Sequence, residues 1–140
     1  MCCASNPNQS LGPEETAMLN LAIVGLKGHY SVFLDGLADL PDARLVAVSD
    51  EDPAALEAVR DWPGSGPDTR LYDSWEEMLR CEKVDIVLEN GVDSDRHRVV
   101  IAAAQHGAHC LAEKPLANSL QELDSIRAAV EHAGIHLSML

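Results

Sequence analysis

Aromatic residues and positive charges are both scarce in this chain of 140 residues. Phe, Trp and Tyr make up 4% of it, so a folded core has to consist mainly of Leu, Ile, Val and Ala. Ten Lys and Arg residues stand against 23 Asp and Glu residues, which gives a formal net charge of −13. An acidic surface repels phosphate backbones and anionic lipids, which argues against nucleic-acid partners and against binding at a membrane surface.

Long apolar runs and paired cysteine motifs are lacking as well. No apolar stretch approaches the ~20 residues needed to cross a bilayer, and the N-terminus does not have the pattern of a signal peptide. Cys2, Cys3, Cys81 and Cys110 form no C-x-x-C pair, which argues against a zinc site. We interpret the last two as small buried hydrophobic residues, and we expect a reduced, cytoplasmic compartment.

The sequence consists of a polar N-terminal segment followed by a longer segment with regular hydrophobic patterns. Residues 1–18 are rich in turn formers and lack periodicity, so we expect a flexible tail. From residue 19 onward, helical patterns alternate with apolar runs at 19–24, 45–48, 84–88, 109–112 and from 135 to the end. Continuous apolar runs are typical of strands that are buried on both faces of a parallel sheet.

Capping signals mark several of the helices. Asp52 precedes Pro53 as an N-cap, and Ser74 and Ser119 each open a capping box. We expect helices that end at Pro41 and at Gly107, the second of them covering residues 98–106. The alternation predicts an α/β fold with a doubly wound parallel sheet, a Rossmann fold, over residues 19–140. In such sheets ligands bind beyond the carboxyl ends of the strands.

The turn after the first strand is a candidate site for a diphosphate. It contains Gly25, Lys27, Gly28 and His29, and a strand–turn–helix junction presents backbone N–H groups and a helix N-terminus to an anion. The full G-x-G-x-x-G pattern is not present, because Lys27 and Tyr30 stand in place of its second and third glycines. Lys27 either pairs with phosphate or blocks its approach. A Gly-x-x-Gly turn is also common without any ligand.

An acid follows the second strand at the position where ribose is commonly bound. Asp50 lies near the ~20-residue offset from the glycine turn at which a carboxylate accepts hydrogen bonds from an adenosine ribose. That carboxylate would repel a 2′-phosphate, which favours NAD over NADP. The alternative is a solvated loop acid beside Glu51 and Asp52.

Two further segments follow later strands. The acids Glu89, Asp93 and Asp95 could bind a cation or a polyol, or could serve in a turn and a helix cap. His97, close behind them, fits an exposed position. After the run 109–112 comes Glu113-Lys114-Pro115. A lysine there could bind ribose and substrate hydroxyls and, with a lowered pKa, move protons, so Lys114 is the candidate catalytic residue.

Together these stretches resemble the oxidoreductases related to glucose–fructose oxidoreductase, inositol dehydrogenase and MocA. The most specific stretch is 107–117, which reads Gly-Ala-His-Cys-Leu-Ala-Glu-Lys-Pro-Leu-Ala; the others are 21–25, 47–50, 72–79 and 84–87. The resemblance implies an NAD(P)-dependent dehydrogenase of sugars or polyols, with a Rossmann domain followed by a second α/β domain. That second domain usually provides the substrate floor, a catalytic histidine and the sheet through which members oligomerise.

The resemblance also assigns roles. Gly25 and Gly28 match the diphosphate turn, Asp50 matches the ribose acid, and Glu113 and Lys114 match the motif at the nicotinamide ribose and the substrate. The chain departs from the family pattern at Lys27 and in the loop 89–96, where Arg96 rather than His97 holds a position that is often histidine.

We therefore expect the NAD-binding domain of such an oxidoreductase, with its last strand cut short and the second domain absent, which binds NAD(H) weakly and turns over no substrate alone. A second hypothesis is a non-enzymatic module for dinucleotide sensing or protein interaction that has lost activity. A third is a split enzyme whose second domain lies on another chain.

Overall fold

Six short strands form one parallel sheet at the centre of the structure, a computed structural model that describes residues 17–140. The strands are β1 (Leu19–Val24), β2 (Ala43–Ser49), β3 (Arg70–Tyr72), β4 (Ile86–Glu89), β5 (His109–Ala112) and β6 (Leu137–Met139). Their order, β3-β2-β1-β4-β5-β6, is that of the doubly wound dinucleotide-binding sheet, and it confirms the predicted fold. The expected tail up to residue 16, with Cys2 and Cys3, lies outside the described residues.

Five helices connect the strands. They are α1 (Tyr30–Leu37), α2 (Pro53–Val59), α3 (Trp75–Cys81), α4 (Asp93–Gln105) and α5 (Leu120–Ala133). All three predicted caps form: the side chains of Asp52, Ser74 and Ser119 accept hydrogen bonds from backbone amides in the first turns of α2, α3 and α5. No helix within residues 17–140 is long and apolar enough to span a bilayer.

Helices cover both faces of the sheet, which explains the continuous apolar runs. On one face Ala22 and Val24 of β1 pack in a cluster with Val99 of α4. On the other face Ile23 of β1 packs in a cluster with Leu34 of α1.

Several predicted boundaries and positions were wrong. Helix α4 begins at Asp93 rather than at residue 98, because its polar first turn, which contains Asp93 and Asp95, hides the apolar periodicity. Helix α1 ends at Leu37, well before Pro41. The predicted burial of cysteine holds for Cys110, whereas Cys81 is exposed at the end of α3. Burial raises the pKa of the Cys110 thiol to about 12.

The reversal of strand order lies between β1 and β4. Strands β2 and β3 continue the sheet on one side of β1, and β4 to β6 continue it on the other. The segments that follow β1, β2, β4 and β5 therefore come together at the carboxyl edge, where a doubly wound sheet has its ligand crevice.

Candidate functional site

Two backbone turns touch at the centre of the carboxyl edge. Gly25, which follows β1, has φ +81°, and a Cβ added to it would lie 2.3 Å from the Cα of Gly91, which follows β4. Both the left-handed conformation and the close approach exclude a side chain. Gly25 therefore sets the distance between the two turns.

The amides of the first turn divide into two groups. Those of Gly25, Leu26 and Lys27 donate inside the protein, to Ser49 O (2.8 Å), Asp50 Oδ2 (2.6 Å) and Asn90 O (3.2 Å). Those of Gly28 and His29, immediately before α1, donate to no acceptor among residues 17–140. The N–H groups available to an external anion are thus the later ones, at the start of the helix.

Asp50 is fixed at the end of β2 and is not a solvated loop acid. Its side chain is buried, and both carboxylate oxygens accept amide hydrogen bonds, Oδ2 from Leu26 (2.6 Å) and Oδ1 from Asp52 (2.8 Å). A carboxylate offers about four lone-pair positions, so acceptor capacity remains beyond these two bonds. The aspartate thus shapes the glycine turn and can still accept hydrogen bonds from a ligand.

A cleft of about 250 Å³ lies between these groups and helix α3. Gly25, Lys27 and Asp50 are among its lining residues. Lys27 is exposed, and none of the described carboxylates lies within ion-pair distance of its ammonium. On the opposite wall, Arg98 stacks 5.5 Å from the centre of the Trp75 ring. The cleft therefore joins a free cation, a fixed carboxylate and an aromatic wall.

A second group of predicted residues meets beside this cleft. The buried carboxylate of Glu113 contacts His29 Nδ1 through Oε1 and accepts the Lys114 amide through Oε2 (3.1 Å). A Cβ on Gly28 would lie 3.3 Å from Glu113 Oε1. The hydrogen bond from His29 holds the pKa of Glu113 below its usual value. The turn after β1 and the motif after β5 thus form one structural unit.

Lys114 is exposed at the edge of this unit. Its ammonium has no carboxylate within ion-pair distance in the described part of the chain. The peptide bond that joins it to Pro115 is cis. A cationic group with free hydrogen-bond donors therefore stands at the carboxyl end of β5.

The most extensively bonded side chain of the site, Arg96, was not among the predicted site residues. It is 2% exposed and forms an ion pair with Glu89, which is 1% exposed. Burial raises the pKa of the Glu89 carboxyl, and the Arg96 guanidinium opposes that rise. In the sequence, this ion pair is visible only as an acid and an arginine separated by seven residues across a strand–helix junction. That spacing does not indicate that the pair is buried.

The two aspartates of this loop lie in the first turn of α4 and pair with arginines of the same helix. Asp93 pairs with Arg96 (2.9 Å) and Asp95 with Arg98 (2.6 Å), which supports the structural interpretation over a cation or polyol site. Across residues 17–140 no group of three or more His, Cys, Asp or Glu residues could hold a metal ion. The predicted exposure of His97 was wrong, since its side chain is only 24% exposed.

Comparison with known proteins agrees with this architecture. The sequence model of the Gfo/Idh/MocA oxidoreductase family, with its NAD-binding Rossmann fold, matches residues 19–140. Inositol 2-dehydrogenase of Agrobacterium fabrum is 34% identical over 82 residues, which are 59% of this chain and 24% of that protein. D-apiose dehydrogenase of Paraburkholderia graminis is 31% identical over 117 residues, 83% of this chain and 30% of that protein.

A solved structure extends the comparison to three dimensions. The WlbA dehydrogenase of Chromobacterium violaceum, crystallised with NADH and UDP-GlcNAcA, matches with a TM-score of 0.81 at 26% identity. The match covers 94% of this chain and 37% of that one. The chain thus spans between 24% and 37% of the length of these three relatives.

Proposed function

Since the chain belongs to the Gfo/Idh/MocA oxidoreductase family, as an NAD-binding Rossmann domain, we propose that it holds NAD(H) across the carboxyl ends of β1, β2, β4 and β5 for hydride transfer with a sugar or polyol. One observation carries the proposal. The free amides of Gly28 and His29 directly follow Lys27, which lines the cleft together with Asp50, and Gly28 packs against Glu113, which accepts the Lys114 amide.

The diphosphate fits the centre of this arrangement. The Gly28 and His29 amides have no protein acceptor in the described chain, and they precede α1, whose N-terminus carries partial positive charge. Lys27 adds an exposed ammonium at the mouth of the cleft. These local donors offset the unfavourable field of a chain whose net charge is −13.

The adenosine end fits the cleft beside Asp50. Ribose hydroxyls can donate to the lone pairs of Asp50 that the Leu26 and Asp52 amides leave free. A phosphate on the 2′-hydroxyl would meet this carboxylate and the neighbouring Glu51, which also lines the cleft. Like-charge repulsion therefore favours NAD over NADP.

We assign the binding of the nicotinamide end of the cofactor to Glu113 and Lys114. When bound, the nicotinamide ring supplies the hydride acceptor or donor. Glu113 fixes the backbone of Lys114 through its amide, and the Lys114 ammonium is free to donate to the nicotinamide ribose and to a substrate hydroxyl. In this role Lys114 Nζ holds or transfers the proton of the substrate hydroxyl, and Lys114 is the catalytic residue of the domain.

The substrate class, assembly and location are extensions of this proposal. Two of the named relatives are dehydrogenases of inositol and apiose, which supports a sugar or polyol substrate. Because the matches cover at most 37% of the relatives' length, we assign substrate selection and oligomerisation to the part of the family fold outside residues 19–140. We also propose a cytoplasmic location, because the cytoplasm contains the pool of NAD(H) that this role requires.

Titration of the chain with NADH tests the cofactor assignment. We expect saturable enhancement of the dihydronicotinamide fluorescence, weaker binding of NADPH, and about tenfold weaker binding of NADH in Asp50→Asn. Asp39→Asn changes an exposed acid at the opposite edge of the sheet and should bind like the wild type. An absence of NADH binding at millimolar concentration, with a folded far-UV circular dichroism spectrum, would rule the proposal out.

A further inference from the structure

The guanidinium of Arg96 connects three separate segments at the carboxyl edge. Its Nε donates to Glu89 at the end of β4 (2.5 Å), and its Nη2 donates to Gly91 O (3.0 Å). Its Nη1 donates to Asp93 of α4 (2.9 Å) and to Pro115 O (2.7 Å). The last of these bonds reaches the residue that follows Lys114.

The segment that carries Lys114 has no regular structure of its own. Residues 113–119, between β5 and α5, form neither helix nor strand. Side-chain contacts therefore fix their path: Glu113 accepts the Lys114 amide, Arg96 binds Pro115 O, and Asn118 Nδ2 donates to Asp93 O (2.9 Å). Two of these three contacts come from the first turn of α4.

A buried ion pair is a poor means of stabilising this junction. Two apolar side chains of similar volume often stabilise a fold as well as or better than a buried pair, because burial removes both charges from water. An arginine nevertheless provides a rigid planar fork of donors that a lysine or an apolar residue lacks. At Arg96 that fork bonds two backbone carbonyls in addition to its carboxylate partners.

We propose that Arg96 is a positioning residue that holds the Lys114–Pro115 backbone in the orientation in which Lys114 reaches the nicotinamide end of the cofactor. The inference rests on the proposed function, because it assigns Lys114 to that end. Arg96 does not touch the cofactor in this scheme. Its effect passes through Pro115 O and is confined to the nicotinamide half of the dinucleotide.

The test compares NADH with ADP-ribose, which lacks the nicotinamide, by titration calorimetry. Arg96→Lys retains the charge beside Glu89 and loses the fork. We expect it to weaken NADH binding about tenfold, the scale of one lost charge-assisted contact, and to change ADP-ribose binding less than about twofold. Lys114→Met should give the same pattern. Arg127→Lys, at an exposed arginine of α5, is the matched control and should leave both ligands unaffected.

A double-mutant cycle separates positioning from general destabilisation. In Arg96→Lys/Lys114→Met we expect NADH to bind as it does to Lys114→Met alone, since the lysine that Arg96 positions is gone. If Arg96→Lys fails to fold, the variant Glu89→Met/Arg96→Met is used in the cycle instead of Arg96→Lys. It replaces the buried ion pair with two apolar side chains.

Two results would overturn the inference while leaving the proposed function intact. One is additive loss in the double variant, and the other is an equal loss of NADH and ADP-ribose affinity in Arg96→Lys. Wild-type protein that is folded but binds neither ligand would instead reject the proposed function, and the role of Arg96 with it.

Discussion

The imidazole of His29 lies against the buried carboxylate of Glu113, 84 residues further along the chain. This contact joins the turn after β1 to the motif after β5, on either side of the end of β4. Because Gly28 also packs against Glu113, the two free amides of the turn and Lys114 are held in one fixed arrangement. The proposed diphosphate site and the candidate catalytic lysine thus share a single carboxylate as their structural link.

Removal of His29 should therefore affect acid stability. The pKa of Glu113 is lowered in the folded state, chiefly by the hydrogen bond from His29. A lowered folded pKa adds stability above the carboxyl's unfolded pKa, and that contribution is lost as the pH falls through the folded value. His29→Ala should lower stability near pH 6 by under about 1 kcal/mol, the range of solvent-exposed pairs, because the imidazole is 62% exposed.

Thermal unfolding from pH 7 to pH 3 measures this effect. The difference between wild type and His29→Ala should be present at pH 6 and should shrink as the pH falls below 4. His132→Ala, at an exposed histidine of α5, serves as the control. A difference that grows on acidification would contradict the assigned direction of the Glu113 shift.

The strands and caps show how much of the fold could be predicted from sequence. The bounds of β1 and β5 match the predicted runs residue for residue, because a strand buried on both faces consists mostly of apolar residues. Strand β3 was missed: Arg-Leu-Tyr, at the edge of the sheet, has no local pattern and is defined only by its pairing with β2. Caps could be predicted because donor and acceptor lie within three residues.

The site could be predicted only as a set of positions. Strand order brings the residues after each strand to one edge, so that Gly25, Asp50 and Lys114 could be selected from the sequence alone. Their partners could not be predicted, since the contact of Arg96 with Pro115 spans 19 residues and no pattern encodes it. Nor could the sequence show that Asp50 accepts the Leu26 amide, or that the amides of Gly28 and His29 have no acceptor in the described part of the chain.

Gly25→Ala should be strongly destabilising. Its φ of +81° disfavours any side chain, and the new Cβ would lie 2.3 Å from the backbone of Gly91, which cannot move without the end of β4. We expect a loss of about 3 kcal/mol or more in unfolding free energy, from conformational strain and overpacking together. Gly36→Ala is the control, because no atom lies within 4 Å of its added Cβ.

Urea denaturation compares the two glycine variants. In Gly36→Ala the new side chain lies in helix α1, and we expect a gain of up to about 1 kcal/mol from helix propensity. Equal stabilities for Gly25→Ala and wild type would mean that the two turns do not meet as closely as described.

Asp50→Asn should weaken NADH binding and reduce the preference over NADPH. The amide side chain keeps only one acceptor oxygen for the Leu26 and Asp52 amides. In the proposed binding mode, the substitution also removes the charge that would repel a 2′-phosphate. We expect about a tenfold loss for NADH and a smaller loss for NADPH, measured by fluorescence titration. An unchanged ratio of the two affinities would show that another group discriminates the phosphate.

Lys27→Gly distinguishes a cofactor-binding turn from one that has moved away from dinucleotides. The Lys27 amide bonds Asn90 O, whereas its side chain is exposed beside the cleft, with no carboxylate partner among residues 17–140. If its ammonium pairs with the diphosphate, Lys27→Gly should weaken NADH binding about fivefold, and the wild type should lose affinity more steeply with added salt. A large gain in affinity would mean that the native lysine obstructs the diphosphate, and it would favour a sensing or interaction module over a dehydrogenase domain.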